Sequence, residues 1–228
     1  MDSFENNPIT NEVVSTNSLL AKTFFRMFLG LLATALASIF AYSTGFLETV
    51  VSNGSYGALL ITELIVVILF SLCFRKLPAW AVTVLFFGYA FLNGLTLSSI
   101  FYLYEMSSIT YTFLATAALF GILAYIGKST QKDLTKFGTI LSVSLIVGLI
   151  LSVINLFIGS SLFELILDWA ILLIFMGFTM YDTRKLCHMQ ELGYADDEKL
   201  YVYGAMELYL DFINLFLRIL SIFGKRRN

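Results

Sequence analysis

The chain has 228 residues, of which 58% are hydrophobic and 13% charged, with a formal net charge of −2. Its mean hydropathy is +0.84. A soluble domain carries about 25% charged residues, so this composition excludes an ordinary water-soluble fold. The slight acidity excludes nucleic acid as a partner. Two cysteines, Cys73 and Cys187, are too few for a disulfide framework.

Residues 1–18 are a polar tail without an apolar core. The first apolar run is too long for a signal peptide and lacks an A-x-A-like cleavage site, so it reads as a retained first span. A helix needs about 20 mainly apolar residues to cross the roughly 30 Å of hydrocarbon. Six segments satisfy this, at 20–43, 56–74, 79–103, 110–127, 137–158 and 162–183. Short connectors rich in turn residues separate them, such as "STGF", "SNGSYG" and "GKSTQKDLTKFG". Pro78 stands at a helix start, where its missing N–H is harmless. A seventh segment, 200–223, is apolar but interrupted by charge. There is no internal repeat. Because lipid offers no partner to backbone N–H and C=O groups, the spans are helices. The expected fold is an all-α integral membrane protein, with a transmembrane domain at 19–224 and a short basic tail at 225–228.

Lys and Arg set the orientation. Lys22 and Arg26 flank the first span, Arg75 and Lys76 sit in the 2–3 loop, and Lys128, Lys132 and Lys136 sit in the 4–5 loop. The 6–7 loop adds Arg184, Lys185 and Lys199, whereas the 1–2, 3–4 and 5–6 loops contain no Lys or Arg. The N-terminus is therefore inside, and both cysteines lie towards the reducing cytoplasmic face. Lys225, Arg226 and Arg227 fit this rule only if the seventh segment is re-entrant; seven full crossings put them outside. Glu48, Glu105 and Glu164, with Asp168 just inside the sixth span, give the outer side an acidic character that attracts cations. His188, the one histidine, sits in a polar inner loop and reads as a solvated residue. The small residues of "ATALAS" and "GYAFLNG" read as close-packing faces, Asn93 and Asn214 as amides bonding between helices, and the 22 Phe as lipid-facing bulk.

The stretch "ELYLDFINLFLRIL" in the seventh segment places Glu207, Asp211, Asn214 and Arg218 within roughly a 60° arc at about 100° per residue. Each charge at the bilayer centre costs at least about 2.5–3.5 kcal/mol, so this ribbon must face protein or water and find partners. Counting depth suggests two. Asp182 ends the sixth span in "MGFTMYDTRKL"; if spans six and seven form a hairpin turning in "GYADDE", Asp182 and Asp211 lie at about the same height. Glu63 on the second span and Arg218 lie at similar depth, which points to a Glu63–Arg218 pair near Asn93.

Two carboxylates in contact cannot both ionise easily; they share a proton and titrate in coupled steps. Protonated, such a pair is a hydrogen bond between two helices. Deprotonated, it repels itself and offers oxygen to a hard divalent cation such as Ca²⁺. Repulsion argues that proton loss opens a path, whereas a bound Ca²⁺ argues either way.

The stretch "LYLDFINLFLRILSIFG" (208–224) resembles the final-helix signature of the Bax inhibitor-1 family, the transmembrane Bax-inhibitor-motif proteins. "GLLATALAS", "ELIVVILFSLCFRK", "GYAFLNGLTLSSI" and "MYDTRKL" resemble its first, second, third and sixth spans. The resemblance implies seven helices, six around a central seventh. It also implies a pH-sensitive calcium leak with Asp182 and Asp211 as sensor and tentative calcium ligands, and Arg75 as a latch partner. No enzymatic activity and no cofactor are expected beyond calcium as a passing or transiently bound ion. The expected partners are membrane lipid, calcium and protons. The expected location is a bacterial inner membrane, with the endoplasmic reticulum as alternative. The suppression of cell death linked to eukaryotic relatives is not carried over.

Three other classes compete. A proton-coupled transporter of a small solute would usually show repeats and broken helices. A non-conducting regulator of other membrane proteins is compatible with the residues. An intramembrane aspartyl protease would pair Tyr181–Asp182 with a glycine-flanked aspartate, but 208–211 reads Leu-Tyr-Leu-Asp.

Overall fold

The apolar runs fold as helices throughout the computed structural model, which describes residues 8–74, 76–192 and 198–227, with side chains from 19 onward except at 190. Among these residues there are nine helices and no strand: α1 Pro8–Ser43, α2 Phe46–Ser52, α3 Tyr56–Cys73, α4 Ala79–Leu97, α5 Ile100–Leu103, α6 Met106–Ser129, α7 Thr135–Ile158, α8 Ser161–Glu191 and α9 Glu198–Phe223. Six stretches are long and apolar enough to cross a membrane: Leu19–Ser43, Tyr56–Cys73, Ala79–Leu103, Met106–Ser129, Thr135–Ile158 and Ser161–Met189. These match the six runs expected from sequence. α9 is not among them, because its acids and its arginine interrupt the apolar run. α1 starts at Pro8, so the polar tail is helical from there, and the connector after the first span holds the short α2. Large apolar side chains stand exposed on the spans, Leu156 at 82% and Phe157 at 88%. In water such surface would aggregate; in a bilayer it meets lipid.

The chain divides into two compact units, Met1–Tyr102 with Leu186–Tyr209, and Leu103–Lys185 with Leu210–Asn228. In the first, α1 packs on α4 and α3 on α4. The α1–α4 contact uses the two small-residue faces anticipated above. A Cβ on Gly94 would sit 2.4 Å from the Thr34 carbonyl oxygen and 2.6 Å from the Ala37 Cβ. Ser38 Oγ donates to the Gly94 carbonyl at 2.7 Å, and Thr34 Oγ1 to the Ala90 carbonyl at 2.8 Å. Such helix-to-helix bonds replace the hydrophobic effect that lipid cannot supply. Tyr209, fully buried, sets its ring edge-on to Phe86 and Tyr89. Its hydroxyl lies 2.7 Å from Thr34 Oγ1 and 3.0 Å from Asn93 Oδ1. Asn93 thus bonds between helices as expected.

In the second unit, α6 approaches α8 so closely that a Cβ on Gly127 would lie 2.4 Å from the Met180 carbonyl oxygen. Phe212 packs edge-on between Phe113 and Phe120, and Trp169 meets Phe223 at 5.6 Å. Phe120, Phe212 and Phe216 are buried, so the phenylalanines are not uniformly lipid-facing. Past α9 the chain runs along the loop before α6. The Glu105 N–H donates to the Lys225 carbonyl at 3.0 Å, and the Arg227 N–H to the Leu103 carbonyl at 2.9 Å. Lys225 Nζ adds an ion pair with Glu105 at 2.6 Å.

Candidate functional site

Three carboxylates in the second unit are almost removed from solvent: Asp168 at 4%, Asp182 at 7% and Asp211 at 3% exposure. Asp168 and Asp182 stand on α8, fourteen residues apart, which is about 21 Å of helix. Asp211 stands on α9 with Arg218 and Ser221 further along it. Burial of ionisable groups at membrane depth needs compensation.

Asp168 receives it directly. Arg218 Nη1 donates to Asp168 Oδ1 at 2.5 Å, and Ser221 Oγ to Oδ2 at 2.5 Å. Charge-assisted bonds of this kind are among the stronger polar contacts in a protein. The sequence had pointed to Glu63 as the partner of Arg218. Glu63, half-buried, instead accepts a hydrogen bond from Thr96 Oγ1 at 2.6 Å. Counting residues along a helix fixes depth but not direction around the axis, and several side chains share each depth.

Two contacts set the register of α8 against α9. Asp168 meets Ser221, and Trp169 meets Phe223. Carried along antiparallel helices, they place the level of Asp182 between one and four residues from that of Asp211, about 1.5–6 Å along the axis. Side chains lean towards their own helix N-terminus, so Asp182 leans outward and Asp211 inward, each towards the other's level. Equal height was the expectation; this register leaves an offset of one to four residues. The turn expected at 193–198 lies outside the described residues except for Glu198. Lys185, one turn on, has its Nζ 4.0 Å from Asp182 Oδ1, a base the sequence reading had not assigned to it.

The rest of the ribbon behaves unevenly. Glu207 accepts a hydrogen bond from the Tyr203 hydroxyl one turn earlier. Asn214 donates to the Leu210 carbonyl of its own helix at 2.8 Å, and the bond between helices expected of it is replaced by this local one. Between Tyr201 and Ile222 no residue of α9 is exposed. Its half-buried positions recur at 203, 207, 210, 214, 217 and 221, the three-four spacing of one helix face. Glu207 and Asn214 lie on that more accessible face, with Arg218 beside it. Arg75, the implied latch, lies outside the described residues.

Where α7 ends and α8 begins, a cavity of about 350 Å³ is lined by Glu164, Asp168, Arg218, Asn155 and the serines 152 and 161. Two of the four acids expected on the outer side have a basic partner. Arg218 neutralises Asp168 and Lys225 neutralises Glu105, leaving Glu48 and Glu164 exposed. Among the described residues no group of three or more His, Cys, Asp or Glu could hold a metal ion. His188 is 58% exposed on its side chain and bonds Glu191, as a solvated residue does.

The pattern of the family described as "Inhibitor of apoptosis-promoting Bax1" matches residues 16–228. The chain belongs to the Bax inhibitor family. It is 38% identical over 234 aligned residues, the whole of both chains, to "Inner membrane protein YbhL" of Escherichia coli K12. It is 37% identical to an uncharacterized protein of Borreliella burgdorferi, covering 95% of this chain and 96% of that one. An uncharacterized membrane protein of Streptococcus pyogenes serotype M3 is 33% identical, again over 95% and 96%. The six membrane-length helices and the Escherichia coli relative agree on an integral protein of a bacterial inner membrane.

The Asp168–Arg218–Ser221 cluster is what sequence reasoning missed. Its signal was the spacing: Asp168 precedes Asp182 by about four turns and Ser221 follows Asp211 by about three, which brings the two near one level on opposite helices.

Proposed function

We propose that this Bax inhibitor family member is a pH-sensitive calcium leak channel of the inner membrane, gated by a proton shared between Asp182 and Asp211. The observation that supports the reading is that both carboxylates are buried in one unit, on antiparallel helices, at levels one to four residues apart by the register above. Two such groups ionise together only at a large electrostatic cost. At low pH one proton bridges them and fastens α8 to α9. As pH rises that proton leaves, the carboxylates repel, and the fastening is lost. Ca²⁺ favours carboxylate oxygen but takes six to eight ligands; two aspartates supply too few for a resident ion, which suits a leak. The more accessible face of α9, with Glu207 and Asn214 along it, supports a polar route beside the gate.

In this reading the seventh helix crosses fully and the other six surround it. α9 starts on the side of the basic loops. Its tail, residues 225–227, pairs with residues 103–105 of a loop without Lys or Arg. That pairing supports an outer C-terminus. The test is Ca²⁺ flux into liposomes containing only this protein, across pH. A pH-dependent downhill flux supports a leak; uptake against a gradient driven by protons supports a transporter; no flux at any pH supports a non-conducting regulator.

A further inference from the structure

A second candidate site lies in the first unit. Lys22 and Arg26 stand one turn apart on α1 and face a cavity of about 460 Å³ walled by Phe25, Phe86, Phe87 and Val202, with Glu198 at its edge. Three observations bear on what it takes. The first is charge: Lys22 and Arg26 approach the ring of Tyr201 at 4.9 and 5.7 Å, and Glu198 answers only one of them, through Arg26 Nη2 at 2.8 Å. The second is an orphan donor: Arg26 Nη1 is buried without a hydrogen-bond partner among the described residues. A buried guanidinium N–H lacking an acceptor is costly, and a phosphate oxygen satisfies it strongly. The third is depth: Trp80, 71% exposed at the start of α4, sits one turn from Thr83 of the cavity wall. Exposed tryptophans mark the headgroup level, and the flanking basic loops make this the cytoplasmic leaflet.

We infer that this cavity binds an anionic glycerophospholipid of the inner leaflet. Its phosphate sits between Lys22 and Arg26, and one acyl chain lies against Phe25, Phe86 and Val202. Two cations over an apolar wall match an amphiphile whose charge and hydrocarbon are joined; a free phosphate would use the cations and leave the wall unused. Basic pockets between membrane helices on the cytoplasmic side are recognised by anionic headgroups. Glu198 competes with the phosphate for Arg26, so lipid binding releases it.

The test is native mass spectrometry of the full chain, titrated with phosphatidylglycerol or phosphatidylcholine of the same acyl chains. The expected result is preferential retention of phosphatidylglycerol, reduced about fivefold for each cation removed, in Lys22→Gln and in Lys22→Gln/Arg26→Gln. Lys22 is exposed, so its single variant keeps the test open if the double variant does not fold. A photoactivatable phosphatidylglycerol should cross-link to peptides containing Phe25 or Val202. Equal retention of both lipids, or unchanged preference in Lys22→Gln, overturns the proposal. Displacement of the lipid by millimolar inorganic phosphate also overturns it, since the site would then be an anion site without a role for the chain.

Discussion

α7 and α9 are near-equal in length and opposite in design. α7, 24 residues, is apolar almost throughout and exposes most of its surface; its buried positions Gly138, Leu141, Gly148 and Asn155 form one narrow stripe, the last three at seven-residue spacing. α9, 26 residues, carries Glu207, Asp211, Asn214 and Arg218 and exposes nothing between Tyr201 and Ile222. In lipid the helix with the most charge must have the least contact with solvent hydrocarbon, because each unpaired charge there costs kilocalories. Hydropathy therefore finds α7 at once and passes over α9, the helix in which the proposed gate lies.

The contrast can be broken most violently at Arg218. Replacing it with Leu makes α9 more like α7 in composition, yet strands the buried Asp168. The expected loss is about 3–5 kcal/mol of stability, read as a large drop in melting temperature in detergent. Asp168→Asn combined with Arg218→Leu should recover part of it, since no buried charge then lacks a partner; a double variant no better than the single would show that the pair is not the cause. Gly94→Val should cost less, about 1–3 kcal/mol, by forcing α4 away from Thr34 and Ala37 on α1. Wild-type melting in this variant would contradict the close approach. Tyr209→Phe removes only a hydroxyl shared by Thr34 and Asn93. The expectation is about 0.5–1.5 kcal/mol, with Asn93→Ala adding little once the hydroxyl is gone; full additivity would mean the two do not act together. Ile150→Leu on the exposed face of α7 should fall within about 0.5 kcal/mol of wild type. A larger effect would mean that this face meets protein rather than lipid.

The parts of the fold governed by length and composition were legible in the sequence. Six runs of apolar residues became six membrane-length helices within a few residues, and "ATALAS" and "GYAFLNG" met as small-residue faces because only small side chains permit that approach. The burial of Asp182 and Asp211 was also legible, since Asp182 ends an apolar run and Asp211 interrupts one on a predicted helix. What was not legible depends on direction around a helix axis. Glu63 and Arg218 were expected at one depth, but Glu63 bonds Thr96 and Arg218 bonds Asp168. Asn214 was expected to reach another helix, and the backbone carbonyl of Leu210 was nearer. The strap of Lys225 and Arg227 along residues 103–105 had no pattern of its own; three basic residues near a terminus look the same whichever side they reach.

The central claim is a proton held between Asp182 and Asp211, and Ca²⁺ flux into liposomes of the purified protein tests it most directly. Wild type, Asp182→Asn and Asp211→Asn are compared between about pH 6 and 8, with melting curves confirming that each is folded. The account predicts a pH-dependent flux in wild type that becomes flat in both variants, because neither can share the proton. Folded variants that keep the wild-type pH profile would contradict it.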